Sequence, residues 1–162
     1  MKHFDVAVAI VFHNKKVLIT RRKPGRVLGG SWEFPGGKRE PGESLEDCLR
    51  RELLEELAIR VQPVMSFSVI HHAYPDRQVT LHPFLCTHEC AHESGEPQLL
   101  ASDELRWVDP SQLRSIEFPE ANRRLVEELV AHLPTPQIQV APSVHPKGKI
   151  MKKQPRPQTA AL

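Results

Sequence analysis

Cysteine is scarce in this 162-residue chain. Cys48, Cys86 and Cys90 are the only three, an odd number that leaves no paired disulfide framework. No hydrophobic run is long enough to span a bilayer. The opening MKHFDVAVAIVFH lacks the cleavage site of a secretory leader, and Asp5 interrupts its apolar stretch early, so it reads as a β-strand. An excess of one charge is missing too: 22 Lys and Arg stand against 20 Asp and Glu, a formal net charge of +2. That balance points to neither a membrane nor a stable nucleic-acid partner, and a cytoplasmic location is expected. Hydrophobic residues make up 40% of the chain, enough at this length for one domain with a substantial core. This composition holds through residue 133. From Pro134 the chain turns to proline, lysine and glutamine, so residues 134–162 are expected to form a disordered tail in which Lys147, Lys149, Lys152 and Lys153 act as solvating charge.

The most informative stretch is GGKREPGESLEDCLRRELLEELAIRV, residues 36–61. Its glycines and prolines supply turn chemistry. Ser44 is placed to cap a helix, with Asp47 reaching back as the second half of a capping box. Leu45, Leu49, Leu53 and Leu57 recur every four residues as one stripe for burial. At 100° per residue Glu52 and Glu56 fall on the margin of that stripe, with Glu55 one step further round. Glu52 and Glu56 form a like-charge i, i+4 pair, unfavourable by about 0.2–0.5 kcal/mol, and acid in the last turn opposes the helix dipole. Arg51 offsets only part of this. A solvated charged face would lie opposite the leucines, whereas a hard divalent cation such as Mg²⁺ or Mn²⁺ resolves the conflict, with Glu43 and a loop carbonyl at Gly37 as further oxygen donors.

In chain order, Phe4–Phe12 and Lys16–Arg21 read as a hairpin about a His13-Asn14-Lys15 turn. Lys23–Ser31, carrying Pro24, Gly25, Gly29 and Gly30, reads as a loop beside the site. Gln62–His72 and Gln78–His88 read as two strands joined by a turn through Pro75 and Asp76. Cys86, His88, Cys90 and His92 alternate along one face, yet alternate strand residues lie about 7 Å apart, too far for successive ligands of one tetrahedral zinc. Ala91–Ser102 is a loop, Leu105–Val108 a short strand, and Asp109-Pro110-Ser111 opens a helical turn. A last helix begins at Phe118–Asn122, with Leu125, Val126, Leu129, Val130 and Leu133 as its apolar face.

Gly37, then Glu43 after five residues, then RELLEELAI from Arg51 after seven more, resembles the Nudix hydrolase signature G-x5-E-x7-R-E-U-x-E-E-x-G-U. One position departs, since Ala58 stands where the pattern has glycine. The segments TRR, EFPGGK and FPEAN resemble MutT-type members of that family, the 8-oxo-dGTP diphosphatases. The resemblance implies an α/β/α sandwich around a mixed sheet over residues 1–133, and metal-dependent hydrolysis of a nucleoside triphosphate to monophosphate and pyrophosphate, with 8-oxo-dGTP the leading substrate and Mg²⁺ or Mn²⁺ as cofactor. It implies Gly37, Glu52, Glu55 and Glu56 as metal ligands. Glu52 positions or deprotonates the attacking water, and Arg51 orients the carboxylates. Arg22 is implied as a phosphate or nucleotide contact, Phe34, Tyr74, Asp76 and Arg77 as walls of the base pocket, and Asn122 as the amide that reads the base. MutT-type enzymes commonly carry a further loop acid where this chain has Ala101. Two alternatives are a Nudix enzyme acting on another nucleoside diphosphate derivative and a noncatalytic recognition module, although modules of that kind have usually lost signature glutamates and this chain keeps all four.

Overall fold

The computed structural model describes residues 1–133, so the expected tail lies outside the described residues. Strand β1 (Lys2–His13) is its axis, and β2 (Lys16–Arg21) returns from it through Asn14 and Lys15, whose φ of 50° and 62° make the two-residue turn that suits the twist of a hairpin. Two short strands follow, β3 (Trp32–Glu33) and β4 (Gly36–Lys38), then helix α1 (Leu45–Leu57). After β5 (Ile59–Ser66), β6 (Ile70–Ala73), β7 (Arg77–Cys90) and β8 (Glu104–Val108), a 3₁₀ turn at Pro110–Ser115 and another at Glu120–Asn122 lead into α2 (Arg123–His132). The sheet is mixed. β1 runs parallel to β7 from Lys2↔Arg77 to Val11↔Cys86 and antiparallel to β4 and β2, while β8 pairs with β2 and both β5 and β6 pair with β7.

Successive residues of β1 face opposite ways, and both faces are apolar because both are covered. Ala7, Ala9 and Val11 pack with Leu49, Leu53 and Leu57 of α1, whereas Val8 and Ile10 pack with Leu125 and Leu129 of α2. This is the expected α/β/α sandwich. The helix begins where Ser44 places it, with the Ser44 hydroxyl accepting from the Asp47 amide at 3.0 Å. The second half of the capping box does not form, because the Asp47 carboxylate instead accepts from Arg50 Nη1 at 3.0 Å. The single expected strand over Gln62–His72 is two strands. Phe67 turns into the core between them, its amide donating to the Pro83 carbonyl at 2.9 Å, and Glu128 of α2 accepts from the Ser68 amide and hydroxyl.

Ala58 ends α1 in the left-handed conformation, φ 54° and ψ 36°, with its amide directed at the Leu53 and Leu54 carbonyls. A Cβ in that region costs about 1–2 kcal/mol. Ala58→Gly removes this cost but gives back about 0.4–1 kcal/mol of unfolded-state freedom, so a net gain near 1 kcal/mol and a Tm about 3 °C higher are expected. Thermal unfolding of the two proteins side by side checks it; an unchanged or lower Tm for the glycine variant would mean that the cap carries no strain.

Candidate active site

The site starts from two close approaches that only glycine permits. A Cβ at Gly36 would run into the Ala7 carbonyl, and one at Gly37 would run into the Glu52 carboxylate. With hydrogen in both places, β4 lies flat against β1, and the middle of α1 presses the Glu52 carboxylate onto the strand. Glu52 and Glu56 therefore share the inner margin of the helix and both line a cavity of about 580 Å³. Glu55 points outward from that cavity, with 61% of its side chain exposed.

Arg51 organises the acids on the helix's outer side. Its Nε and Nη2 donate to the two Glu43 oxygens at 2.7 and 3.0 Å, its Nη1 donates to Glu52 at 2.9 Å, and Glu55 lies 3.6 Å from the same nitrogen. The paired Arg51 hydrogen bonds, with the Glu40 amide also donating, hold the Glu43 carboxyl at about 2. Glu43 thus clamps the arginine and lies outside the cavity lining. Arg51 thereby touches Glu43, Glu52 and Glu55 at once.

Glu56 is in the opposite electrostatic situation. Burial, with the Glu52 carboxylate beside it and Glu33 further off, pushes its carboxyl up to about 8. Two carboxylates forced together in a partly desolvated pocket are a poor arrangement for a protein alone and a good one for a hard cation with oxygen ligands. The donor chemistry fits Mg²⁺ or Mn²⁺. Among the described residues, no three His, Cys, Asp or Glu side chains converge as a ready-made cation cluster. Arg51 holds Glu52 and Glu55 toward itself, and the Gly37 carbonyl faces the Cys48 thiol at 3.5 Å. The alternating Cys86, His88, Cys90 and His92 do not gather either, since His88 lies against His13 and Trp107, and His92 against Ser94.

From the glutamates the cavity runs along β1, whose Val8, Val6, Phe4 and Lys2 form a floor about 20 Å long at ~3.3 Å per residue. Arg22 enters at the acidic end. Its Nε donates to Glu33 at 2.7 Å and its Nη1 to the Val27 carbonyl at 2.8 Å. Glu33 is a cavity-lining acid that sequence reasoning passed over, and burial raises its carboxyl against the pull of Arg22. The β2–β3 register opposes Thr20 to Glu33, a proximity with no trace in local periodicity. Toward the Lys2 end stand Tyr74, Asp76 and Arg77, since Arg77 pairs with Lys2, and Asn122 lines the same cavity. The Asn122 side chain makes no capping hydrogen bond, which leaves its amide for another partner. Phe34 also lines the cavity but is 4% exposed and stacked on Phe118, so it offers an edge rather than a wall. Phe4 and Lys38 were missed as lining residues; the alternation of β1 was the available signal for Phe4. On the 91–102 loop Ala101 and Ser102 reach the cavity, whereas Asp103 and Glu104 are held by Arg21 at 2.7 and 3.3 Å.

Comparison with known proteins agrees with this geometry. A family profile for the NUDIX domain matches residues 6–128. The chain is 34% identical over 130 residues to the 8-oxo-dGTP diphosphatase of Escherichia coli K12, covering 80% of this chain and 98% of that one. It is 33% identical over 143 residues to the CTP pyrophosphohydrolase of the same organism, covering 81% and 94%. The solution structure of the Escherichia coli ORF135 protein superposes with a TM-score of 0.68 at 29% identity, covering 81% of this chain and 91% of that one. No helix among the described residues is long and apolar enough to cross a membrane. Signature, sandwich and the packing of the glutamate helix on its glycine strand agree from end to end of the matched region, and the chain belongs to the Nudix hydrolase family.

Proposed function

We propose that this enzyme hydrolyses a nucleoside triphosphate to nucleoside monophosphate and pyrophosphate, with 8-oxo-dGTP as the leading substrate and Mg²⁺ or Mn²⁺ as cofactor. The observation that carries the reading is the polarity of one cavity. Glu52 and Glu56 line the same cavity as Tyr74 and Asn122, with Glu52 against Gly37 at one end and the Tyr74–Arg77 turn beside Lys2 at the other. Glu52, Glu55 and Glu56 would hold a divalent ion, which would supply charge neutralisation for the phosphates and activation of the attacking water. Glu52, fixed by Arg51, positions that water and accepts its proton as the water oxygen bonds to phosphorus and the phosphorus–oxygen bond to the leaving group breaks. Arg22, directed by Glu33, contacts the phosphates. Asn122 reads the base edge, because a carboxamide both donates and accepts as an oxidised guanine edge does. The similarity to the 8-oxo-dGTP diphosphatase of Escherichia coli over 98% of that protein's length supports this choice of base.

Asn122→Ala is expected to erase discrimination rather than catalysis. The ratio of kcat/KM for 8-oxo-dGTP over dGTP should fall about tenfold or more, since a polar site rejects a wrong base through the groups it leaves unpaired. Steady-state kinetics on both substrates checks it. Equal losses on the two would make Asn122 a structural residue of the turn before α2.

A further inference from the structure

Three aromatic side chains line the cavity, and they differ in what covers them. Phe34 is nearly buried, with its ring stacked on Phe118 at 4.9 Å. Tyr74 lies under the Arg77 guanidinium at 4.6 Å, and the Asp76 carboxylate fixes that guanidinium by accepting two hydrogen bonds at 2.9 and 3.0 Å. Phe4 is half-buried in the floor, and the Lys38 ammonium stands 3.8 Å from its ring centroid. Lys38 is exposed and makes no ion pair among the described residues. Its cover over Phe4 is therefore the one easily removed: a cation–π contact at an exposed site is weak, the stem is flexible, and a phosphate is a stronger partner for an ammonium. The register sets the direction of such a move. Lys38 pairs with Val6, between Phe4 and the Gly36–Val8 pair at the glutamate end of the floor.

We propose that Phe4 sets the preference for purine over pyrimidine beside the base-edge contact of Asn122, as a stacking platform that Lys38 covers until the substrate's phosphates draw the ammonium away. This rests on the nucleoside-triphosphate reading above and deepens it, because a two-ring purine overlaps a phenyl face more fully than a pyrimidine does. Base recognition and phosphate recognition are then linked through one lysine.

The test compares the wild type with Phe4→Leu, which keeps an apolar side chain in the floor, and with Lys38→Met, an exposed position. Three quantities are read: kcat/KM for 8-oxo-dGTP and dGTP, the inhibition constant of CTP as a competing ligand, and the Kd of the nucleoside 2′-deoxyguanosine, which has no phosphate. Phe4→Leu should lower kcat/KM for both purine triphosphates about tenfold, through KM, while the CTP constant moves less than about twofold. Lys38→Met should act in opposite directions, tightening the nucleoside about threefold and weakening the purine triphosphates about tenfold. A merely structural role produces no such reversal of sign. Equal losses on purines and CTP in Phe4→Leu, or a weaker nucleoside complex in Lys38→Met, would overturn the proposal. Should the wild type turn over no triphosphate at all, the proposed function fails by itself, and the nucleoside titrations still decide whether Lys38 covers a platform.

Discussion

Glu56→Gln should reduce kcat at least about a hundredfold and, in metal-free protein, raise thermal stability at alkaline pH. The first effect follows from the proposed function, in which Glu56 supplies charge to the cation that neutralises the triphosphate. The second follows from the environment of Glu56. Burial and the neighbouring Glu52 raise its carboxyl from an ordinary 4.5 to about 8. The folded state therefore prefers the protonated form. That preference contributes stability in full below about pH 4.5, loses it as the pH rises, and has lost it above about pH 8, where the wild type must hold two ionised carboxylates together. Glutamine never ionises. The Tm advantage of the variant should thus be absent near pH 4.5 and largest near pH 9. Addition of Mg²⁺ should then stabilise the wild type and leave the variant nearly unmoved, since a ligand stabilises only the state that binds it. Differential scanning fluorimetry across pH, with and without Mg²⁺, together with turnover measurements, reads all of these. Unchanged turnover would remove Glu56 from the cation site, and a Tm gain independent of pH would remove the like-charge explanation.

Glu52→Gln should cost about 10² to 10⁴ in kcat, the range for a lost general base, whereas Asp103→Ala and Glu104→Ala should each cost less than about threefold. The structure gives this contrast a reason. Glu52 lines the cavity against Gly37 and is held there by Arg51. Asp103 and Glu104 are taken up by Arg21 at the sheet edge, and Glu104 also accepts from Arg106 at 2.7 Å. At the position where MutT-type proteins commonly carry a loop acid, this chain brings only the methyl group of Ala101 to the cavity. Measuring kcat for the three variants at saturating Mg²⁺ separates the cases. A collapse in either loop variant would move the base from the helix to the loop and require Arg21 to release its partner during turnover.

Residues close in sequence were legible without the structure because their relation depends on helix or strand geometry alone. The leucine stripe of α1, the Ser44 cap, the marginal placement of Glu52 and Glu56 and the outward step of Glu55 all follow from 3.6 residues per turn. The signature spacing carried the family for the same reason: a loop and a helix of fixed length hold their residues at fixed separations. The helix end was half legible. The pattern shows that Ala58 stands in a glycine's place, and only the folded chain shows that it accepts the left-handed conformation.

What periodicity cannot give is the identity of the element that stands opposite. The spacing of Glu43 gives no sign that the Arg51 fork closes on it across a turn of loop and helix. Glu33 joined the site through pairing of β2 with β3, and Lys38 came to lie over Phe4 through pairing of β4 with β1. The run over Gln62–His72 looked continuous because nothing local marks Phe67 for the core. In the sequence lay most of the secondary elements, the helix that carries the acids and the family to which they belong. The common floor of the cavity was decided by tertiary packing, since the parallel pairing of β1 with β7 joins residues 75 positions apart, as in Lys2↔Arg77, and no local propensity encodes a contact whose partner is elsewhere in the chain.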